Sequence, residues 1–541
     1  MSRVKSLVAR ANQKFTIQWA AIFLASATLL SSLLGLYRDR YLNGLYFDTY
    51  KTGLDAYTYA FTIPDFMFYI LVSGALSVTF IPIFNKRLAT GNKKSAWELS
   101  TSMINFMALV TMIASILIMI FAEQLVRLIG PGLDESGHGL AVSMMRVIAI
   151  NPFLFAIATV IASIQQAVGR FTFYTLAPMI YNIGIIIGAM YFTDGITIFG
   201  YEIFSGGIMG VALGVALGSV MQLIVSTIGL IGLGFDYRFK IYWKNKGFRR
   251  TIRILPARSI DQALDYIVGM VELNLASHMA AGVARAYQQV LTLYMMPVNL
   301  IGVAISTAAF PTMTEHLARD RYDLFRAELR RIIRVILWIM LPVVVITYFA
   351  RGYVVSFIKN GGNELMAGLM GIFVIAILFR AVYQIAARGF YAQQDTKTPM
   401  YVSIFSIGLN VVLAVWFTSS LKLGPAGLAL AQSIMAMIEV FILLTLLHIR
   451  LPTGLFDKEW FMAVGRMLAA AVITAFAAYG LVLILQLQSD DLNLASTLPK
   501  FSFITFASSI VYLGLSHLFK LSEARPVVRK ISSLVFAKKF R

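Results

Sequence analysis

The chain has 541 residues, of which 59% are hydrophobic and 13% charged, with a formal net charge of +20 and no cysteine. Soluble domains average about 45–50% apolar and 25% charged residues, so an ordinary soluble domain is excluded, and the lack of cysteine excludes disulfides, thiolate nucleophiles and thiolate metal sites. The basic excess does not point to nucleic acid, because most Lys and Arg residues lie in a few loops and at the two ends beside apolar runs, where anionic lipid attracts them.

Apolar runs long enough to cross a hydrocarbon layer of about 30 Å recur from end to end. Short alternating segments of the kind that build a barrel do not. The expectation is an all-α polytopic membrane protein of about fourteen transmembrane helices. The first six spans fall near 16–37, 54–85, 97–129, 137–167, 173–193 and 205–234. The next six fall near 252–278, 280–313, 331–350, 362–390, 399–419 and 424–449, and the last two near 459–487 and 500–519. The basic N-terminal stretch MSRVKSLVARANQK precedes an apolar run too long for a signal-peptide core, so it reads as the lead-in to an uncleaved first helix. Pro64 and Pro297 fall inside the second and eighth spans, where each removes a backbone donor and predicts a kink. The tail KLSEARPVVRKISSLVFAKKFR is basic and partly amphipathic, as for a helix lying on the cytoplasmic leaflet.

Lys and Arg are counted loop by loop to orient the chain. Roughly thirty fall on the side that holds both termini, against fewer than about ten on the other, which places both termini in the cytoplasm. Internal repetition follows. GLDAYTY from Gly53 is echoed by GVARAYQ from Gly282, and Ser77 and Pro82 by Ser306 and Pro311. GRFTFYTLAPM from Gly169 is echoed by RGFYAQQDTKTPM from Arg388, and GIMGVALG from Gly207 by GPAGLALA from Gly424. Two six-helix repeats plus two C-terminal helices account for this order. The division is 1–234, 235–450, 451–520 for the two extra helices, and 521–541 for the tail. Parallel repeats of this kind belong to transporters with a site between halves near the midplane. The polar stretch 388–399 reads as an elbow that starts a new helix at Pro399, as Pro178 does in the first repeat, and as a candidate hinge.

Charged side chains inside spans are costly and mark function by default. Arg258, Asp261, Asp265 and Glu272 in the seventh span fall on one helix face. They read either as a polar stripe lining a cavity or as a self-neutralised network. Arg285 and Asp55 start the eighth and second spans. Arg285 is a phosphate-binding candidate and Asp55 a gating one, with interfacial snorkelling as the plain alternative for both. Arg38-Asp39-Arg40 reads as a solvated helix end. Arg146, Arg380, Glu439 and Arg466 read as single structural or interfacial charges. The five histidines show no metal spacing, and no phosphate loop of the Walker type occurs. An integral-membrane enzyme would need a clustered acid/base or DxD-like motif in an aqueous loop, and none is present. A non-transporting scaffold would not need charges within its spans.

LLGLYRD (33–39), GLDAYTYAFTIPD (53–65), SGALSVTFIPIF (73–84), LAPMIYNIGIIIG (176–188), GVAISTAAFPTMTE (302–315) and RGFYAQQDTKTP (388–399) together resemble segments of the MurJ (MviN) lipid II flippases of the MOP exporter superfamily. The resemblance runs from about residue 16 to 450. It implies a two-lobed bundle with a central cationic cavity, and a lipid-tail groove formed by the last two helices. It also implies alternating-access transfer of lipid II, an undecaprenyl-diphosphate-linked disaccharide-peptide, between leaflets of a bacterial cytoplasmic membrane in support of cell-wall synthesis. Arg38 and Asp55 match a first-helix arginine and a second-helix aspartate of the family. Ser32, Phe68 or Tyr69, and Thr292 stand where other family cavity cations are expected, and Arg258 and Arg285 are the nearby substitutes. The substrate-binding set is therefore Arg38, Asp55, Arg258 and Arg285. The cation-coupling set is Asp261, Asp265, Glu272 and Asn410, with sodium or the proton-motive force as energy source. A monomer with no resident cofactor is expected, contacting lipid II and membrane lipid and no nucleic acid. The alternative is a MOP-type exporter of another polyprenyl-linked saccharide or a small cation.

Overall fold

A computed structural model of the chain describes residues 17–73, 76–198, 201–488 and 491–537. Side chains are described throughout these except at 17–22, 25, 73, 76–79, 196–198, 201–203, 254–265 and 531–537. In hydrocarbon no water satisfies a backbone N–H or carbonyl, so a spanning chain of this composition folds as helices. Eleven helices among the described residues are long and apolar enough to cross a membrane. The first, second and seventh expected spans are helical as well, and the apolar part of the seventh is Tyr266–Ser277.

The chain forms two compact units, 1–285 and 286–541. The first contains α1 (Ile17–Tyr46), α2 (Lys51–Phe68), α3 (Leu76–Ala89), α4 (Lys93–Ile120), α5 (Ala122–Ile129), α6 (Glu135–Ile148), α7 (Asn151–Ala167) and α8 (Thr172–Ile187). A small antiparallel hairpin follows, β1 (Ile196–Ile198) and β2 (Tyr201–Phe204), then α9 (Met209–Ile228) and α10 (Lys246–Ser277). The hairpin is a small departure from an all-helical chain, in a segment of β-branched and aromatic residues that suit strands. Phe80, Phe84, Leu99, Met103, Ile164 and Phe248 form part of one buried cluster of this unit.

The packing division lies later than the repeat boundary at 234/235 because the end of α10 is bonded into the first unit. The Tyr59 hydroxyl donates to the Leu273 carbonyl at 2.7 Å, Asn274 Nδ2 to the Leu128 carbonyl at 2.8 Å, and the Gly132 N–H to Ser277 Oγ at 3.1 Å. Repetition in sequence records descent of the helices, whereas compactness records which surfaces they bury.

α8 and α9 meet through glycine faces. A Cβ on Gly184 would lie 2.3 Å from the Gly218 Cα, and one on Gly188 2.3 Å from the Gly214 Cα. Small residues spaced by four let membrane helices approach until their backbones touch.

The second unit holds α11 (Val283–Pro297), whose first turn belongs to the first unit, then α12 (Ala304–Ala318), α13 (Tyr322–Phe349), α14 (Arg351–Ser356) and α15 (Glu364–Ala392). It continues with α16 (Lys397–Val415), α17 (Pro425–Arg450), α18 (Lys458–Ile484), α19 (Leu494–Leu518) and α20 (Ala524–Ala537). The last two apolar helices pack with α13: Trp338 stacks at a tilt with Tyr512, and Arg330 pairs with Asp457 at 2.6 Å.

The prolines act through π-helical turns. Pro64 in α2 is followed by the π turn Tyr69–Ser73, and Pro297 by the π turn Val298–Val303. These stand in equivalent places of the two repeats. A second equivalent pair closes α8 at Gly188–Phe192 and α16 at Trp416–Ser420. Proline leaves the carbonyl four residues earlier without its helical donor, and a π turn adds one residue to the helical turn.

The elbow is braced. Asp395 Oδ1 accepts the N–H groups of Lys397 and Thr398, both at 3.0 Å, and Oδ2 accepts the Thr398 hydroxyl at 2.6 Å. Arg450 at the end of α17 pairs with the same carboxylate and covers the Phe390 ring. Pro399 falls in the first turn of α16 as expected, but Pro178 lies inside α8, because the helix begins earlier at Thr172. Burial alone would raise the Asp395 pKa, but the Thr398 hydroxyl, the Thr398 N–H and the Arg450 guanidinium outweigh it and hold the carboxyl well below the usual range.

Gly184→Ala is expected to lower the thermal midpoint of the detergent-solubilised protein, since forcing the backbones apart costs about 1–3 kcal/mol. Gly408→Ala, where a Cβ meets nothing within 4 Å, should leave it unchanged; equal melting of both variants by tryptophan fluorescence would refute the close-packing account. A folded pKa below the ordinary value near about 4 makes the Asp395 contribution complete above that pH, and lost as pH falls through the depressed value. Asp395→Asn should therefore melt earlier than the parent at neutral pH, with the gap closing below about pH 4.

Candidate functional site

The first unit gathers its charges where α1, α2, α8 and the first turn of α11 come together. Asp39 is the centre. Its Oδ1 accepts from Arg38 Nη2 at 3.0 Å and Nε at 3.2 Å, and from Arg285 Nη2 at 3.2 Å. Arg38 also donates from Nη1 to Asn182 Oδ1 at 2.9 Å. Asn182 in turn donates from Nδ2 to the Pro178 carbonyl of its own helix at 3.2 Å. The Arg285 guanidinium lies over the Tyr57 ring, 5.6 Å from its centroid.

Asp55 does a different job. Its Oδ1 accepts the Arg285 N–H at 2.8 Å and its Oδ2 the Gly282 N–H. The first turn of a helix leaves N–H groups without partners and carries partial positive charge, so a carboxylate from a neighbouring helix stabilises it. Asp55 thus fixes the backbone from which Arg285 extends. Gly282 has φ +91°, a left-handed conformation that suits glycine, and this brings its N–H to Asp55.

Two arginines sharing one carboxylate oxygen leave the triad with one net positive charge. Side-chain exposure is 23% for Arg38, 7% for Arg285 and 8% for Asp39. This overturns the reading of Arg38-Asp39-Arg40 as a solvated helix end, since Asp39 and Arg40 are both buried. It also removes the snorkelling alternative for Arg285, which is buried and ion-paired. The structure thus joins Arg38, Asp55 and Arg285 of the expected substrate set and adds Asp39, Asn182 and Tyr57. The signal for Asp39 was a second charge of opposite sign next to Arg38 in a span. Asn182 was an isolated amide in the apolar run LAPMIYNIGIIIG.

Arg258, Asp261 and Asp265 lie on α10, and their side chains fall outside the described residues. Glu272 on α10 is buried in the first unit, and Asn410 on α16 is buried in the second. Arg380 and Glu439 are not isolated charges. They pair at 3.3 Å between α15 and α17, and the Ser403 hydroxyl donates to Glu439 at 2.9 Å. Among the described residues no group of three or more His, Asp or Glu converges as a metal cluster.

Spanning helices with repeat-related π turns and two arginines held on one aspartate inside the bundle suit a transporter rather than an enzyme. A family model described as lipid II flippase MurJ matches residues 50–502, and the chain belongs to that family. It is 25% identical over 510 residues to a probable lipid II flippase MurJ of Thermotoga maritima, covering 93% of this chain and 97% of that one. It is 25% identical over 482 residues to one from Vibrio cholerae, covering 84% and 87%. The fold is similar to a solved lipid II flippase MurJ in an inward closed conformation, with a TM-score of 0.74, 23% identity, and 92% and 98% coverage. A multidrug resistance MATE family transporter of the MOP superfamily, inward-facing, shares the fold at a TM-score of 0.63 and 15% identity, with 81% and 96% coverage.

Removing Asp39 leaves two buried guanidiniums facing each other, whereas removing either arginine leaves a neutral pair. Breaking a buried ion network from the minority side costs about 3–5 kcal/mol. Asp39→Ala should therefore melt well below Arg38→Ala, and Arg38→Ala/Asp39→Ala should recover part of the loss. Thermal midpoints in detergent test the order; a double variant no better than Asp39→Ala alone would overturn it.

Proposed function

We propose that the chain carries lipid II from the inner to the outer leaflet of a bacterial cytoplasmic membrane by alternating access, supplying peptidoglycan synthesis. The observation that carries this reading is the Arg38–Asp39–Arg285 triad. A diphosphate cannot cross hydrocarbon unaided, and guanidinium forks match phosphate oxygens in pairs. Asp39 holds both arginines through one oxygen. An incoming diphosphate offers several, so it competes for the same donors and loosens the triad. Ligand binding is thereby coupled to the contact between α1 and the start of α11. A cationic cargo would be repelled at this position, which disfavours the small-cation alternative there.

The orientation that suits this cycle has both termini in the cytoplasm, with the basic loops on the anionic leaflet. The protein works as a monomer in this reading. The prenyl chain runs along α18 and α19, whose Phe476, Ile484, Phe506 and Leu518 are strongly exposed. Sodium or the proton-motive force drives the return step through Asp261, Asp265, Glu272 and Asn410, and Arg258 adds positive charge toward the substrate.

Arg38→Ala and Arg285→Ala are expected to cut precursor exposure on the outer leaflet by about tenfold or more, from the loss of a charge-assisted phosphate contact, while protein level and melting hold. Normal exposure in both variants would sink the phosphate role. Depletion of the protein in its host should trap lipid II in the inner leaflet; accumulation of another lipid-linked saccharide would favour the alternative cargo. For coupling, sodium or a proton gradient should stimulate transport by the parent but not by Asp261→Asn or Asp265→Asn.

A further inference from the structure

A cavity of about 900 Å³ opens in the first unit between α4, α7, α9 and the segment after α9. This is within the range of about 300–1,000 Å³ typical of ligand pockets. It shares no lining residue with the Arg38–Asp39–Arg285 triad. Ala108, Met112, Ile157 and Leu223 make most of its wall hydrocarbon, and Asn105, Tyr237 and Phe239 line the rim.

The rim is a built structure. Asn105 Nδ2 donates to the carbonyls of Arg238 at 2.9 Å and Lys240 at 3.0 Å. The Tyr237 hydroxyl donates to Asn105 Oδ1 at 2.6 Å, and the Tyr242 N–H to Ser102 Oγ at 2.8 Å. These bonds pin 237–242 onto α4. Phe239, between Arg238 and Lys240, is 92% exposed, and Trp243 is 57% exposed. Aromatic side chains flanked by cations at the end of a spanning bundle are the composition of a lipid headgroup zone.

The rim also carries cations in excess of anions. Arg238 pairs with Asp236 at 2.9 Å, but Arg170, Lys240 and Lys244 have no carboxylate partner among the described residues. Arg170 Nη1 reaches 3.9 Å from where a Cβ on the lining residue Gly232 would sit. An apolar recess between spanning helices with unneutralised cations at its mouth suits one ligand class, an acyl chain bearing a negative headgroup.

We propose that this cavity binds an anionic glycerophospholipid, with one acyl chain in the recess and the phosphate at Arg170, Arg238 and Lys240. The occupant is a membrane phospholipid rather than the transported lipid. It fills the space between α4, α7 and α9 and ties the segment after α9 to the leaflet that faces the basic loops.

The test uses the purified full-length protein, delipidated in mild detergent and titrated with phosphatidylglycerol or phosphatidylcholine of the same chains, with adducts read by native mass spectrometry. The parent should retain one phosphatidylglycerol at collision energies that strip phosphatidylcholine. Arg170→Ala/Arg238→Ala/Lys240→Ala should weaken that adduct about tenfold or more. The charge-matched control Arg319→Ala/Arg321→Ala/Lys397→Ala, in loops of the second unit, should not. Ala108→Trp, which fills the recess, should remove the adduct, and the exposed-loop triple variant keeps the test decisive should the tryptophan variant fail to fold. Equal retention of both lipids, or equal weakening in the control, would overturn the headgroup assignment. An adduct that survives both the triple variant and a folded Ala108→Trp would overturn the site. Displacement of phosphatidylglycerol by equimolar undecaprenyl phosphate would reassign the cavity to a prenyl tail.

Discussion

In hydrocarbon a polar group has no water to turn to, so every backbone N–H and every charge must find its partner within the chain. The architecture of each unit follows from this constraint. Where proline removes a donor, as at Pro64 and Pro297, the helix takes a π turn within the next few residues. Where a helix begins, as at Gly282–Arg285, a carboxylate from α2 serves the open N–H groups. Where Arg285 is buried, Asp39 is buried beside it.

The same logic explains how the charges of the triad persist inside the first unit. Two guanidiniums on one carboxylate oxygen are partly neutralised, which lets them persist in a largely buried place. Asp55 takes no guanidinium and instead holds the Arg285 backbone, so positioning and charge are supplied by different residues. In the second unit Arg380 and Glu439 pair as opposite charges, and Ser403 donates to Glu439.

Much of this was legible in the residues. The helical class, the two repeats and the candidates Arg38, Asp55 and Arg285 rest on hydropathy, ordered motif matches and the cost of a charge in lipid. Asp39 was less legible because a charge triplet at a helix end is the ordinary composition of a solvated terminus. Only the approach of α11 from far along the chain makes it the shared partner of two arginines. The elbow at Asp395 reads in sequence as a helix-starting turn and candidate hinge, and only the structure shows Arg450 from the end of α17 holding it.

The sequence by itself determined that the chain spans a membrane as helices and keeps charges where lipid penalises them, because hydropathy and charge cost act locally. Only the tertiary structure decided which charges meet, that Asp55 serves a backbone while Asp39 serves two side chains, and that the end of α10 packs with the first unit. Those outcomes depend on which helix faces touch. That choice is made by shape and hydrogen-bond partners, often more than two hundred residues apart, and no local pattern encodes it.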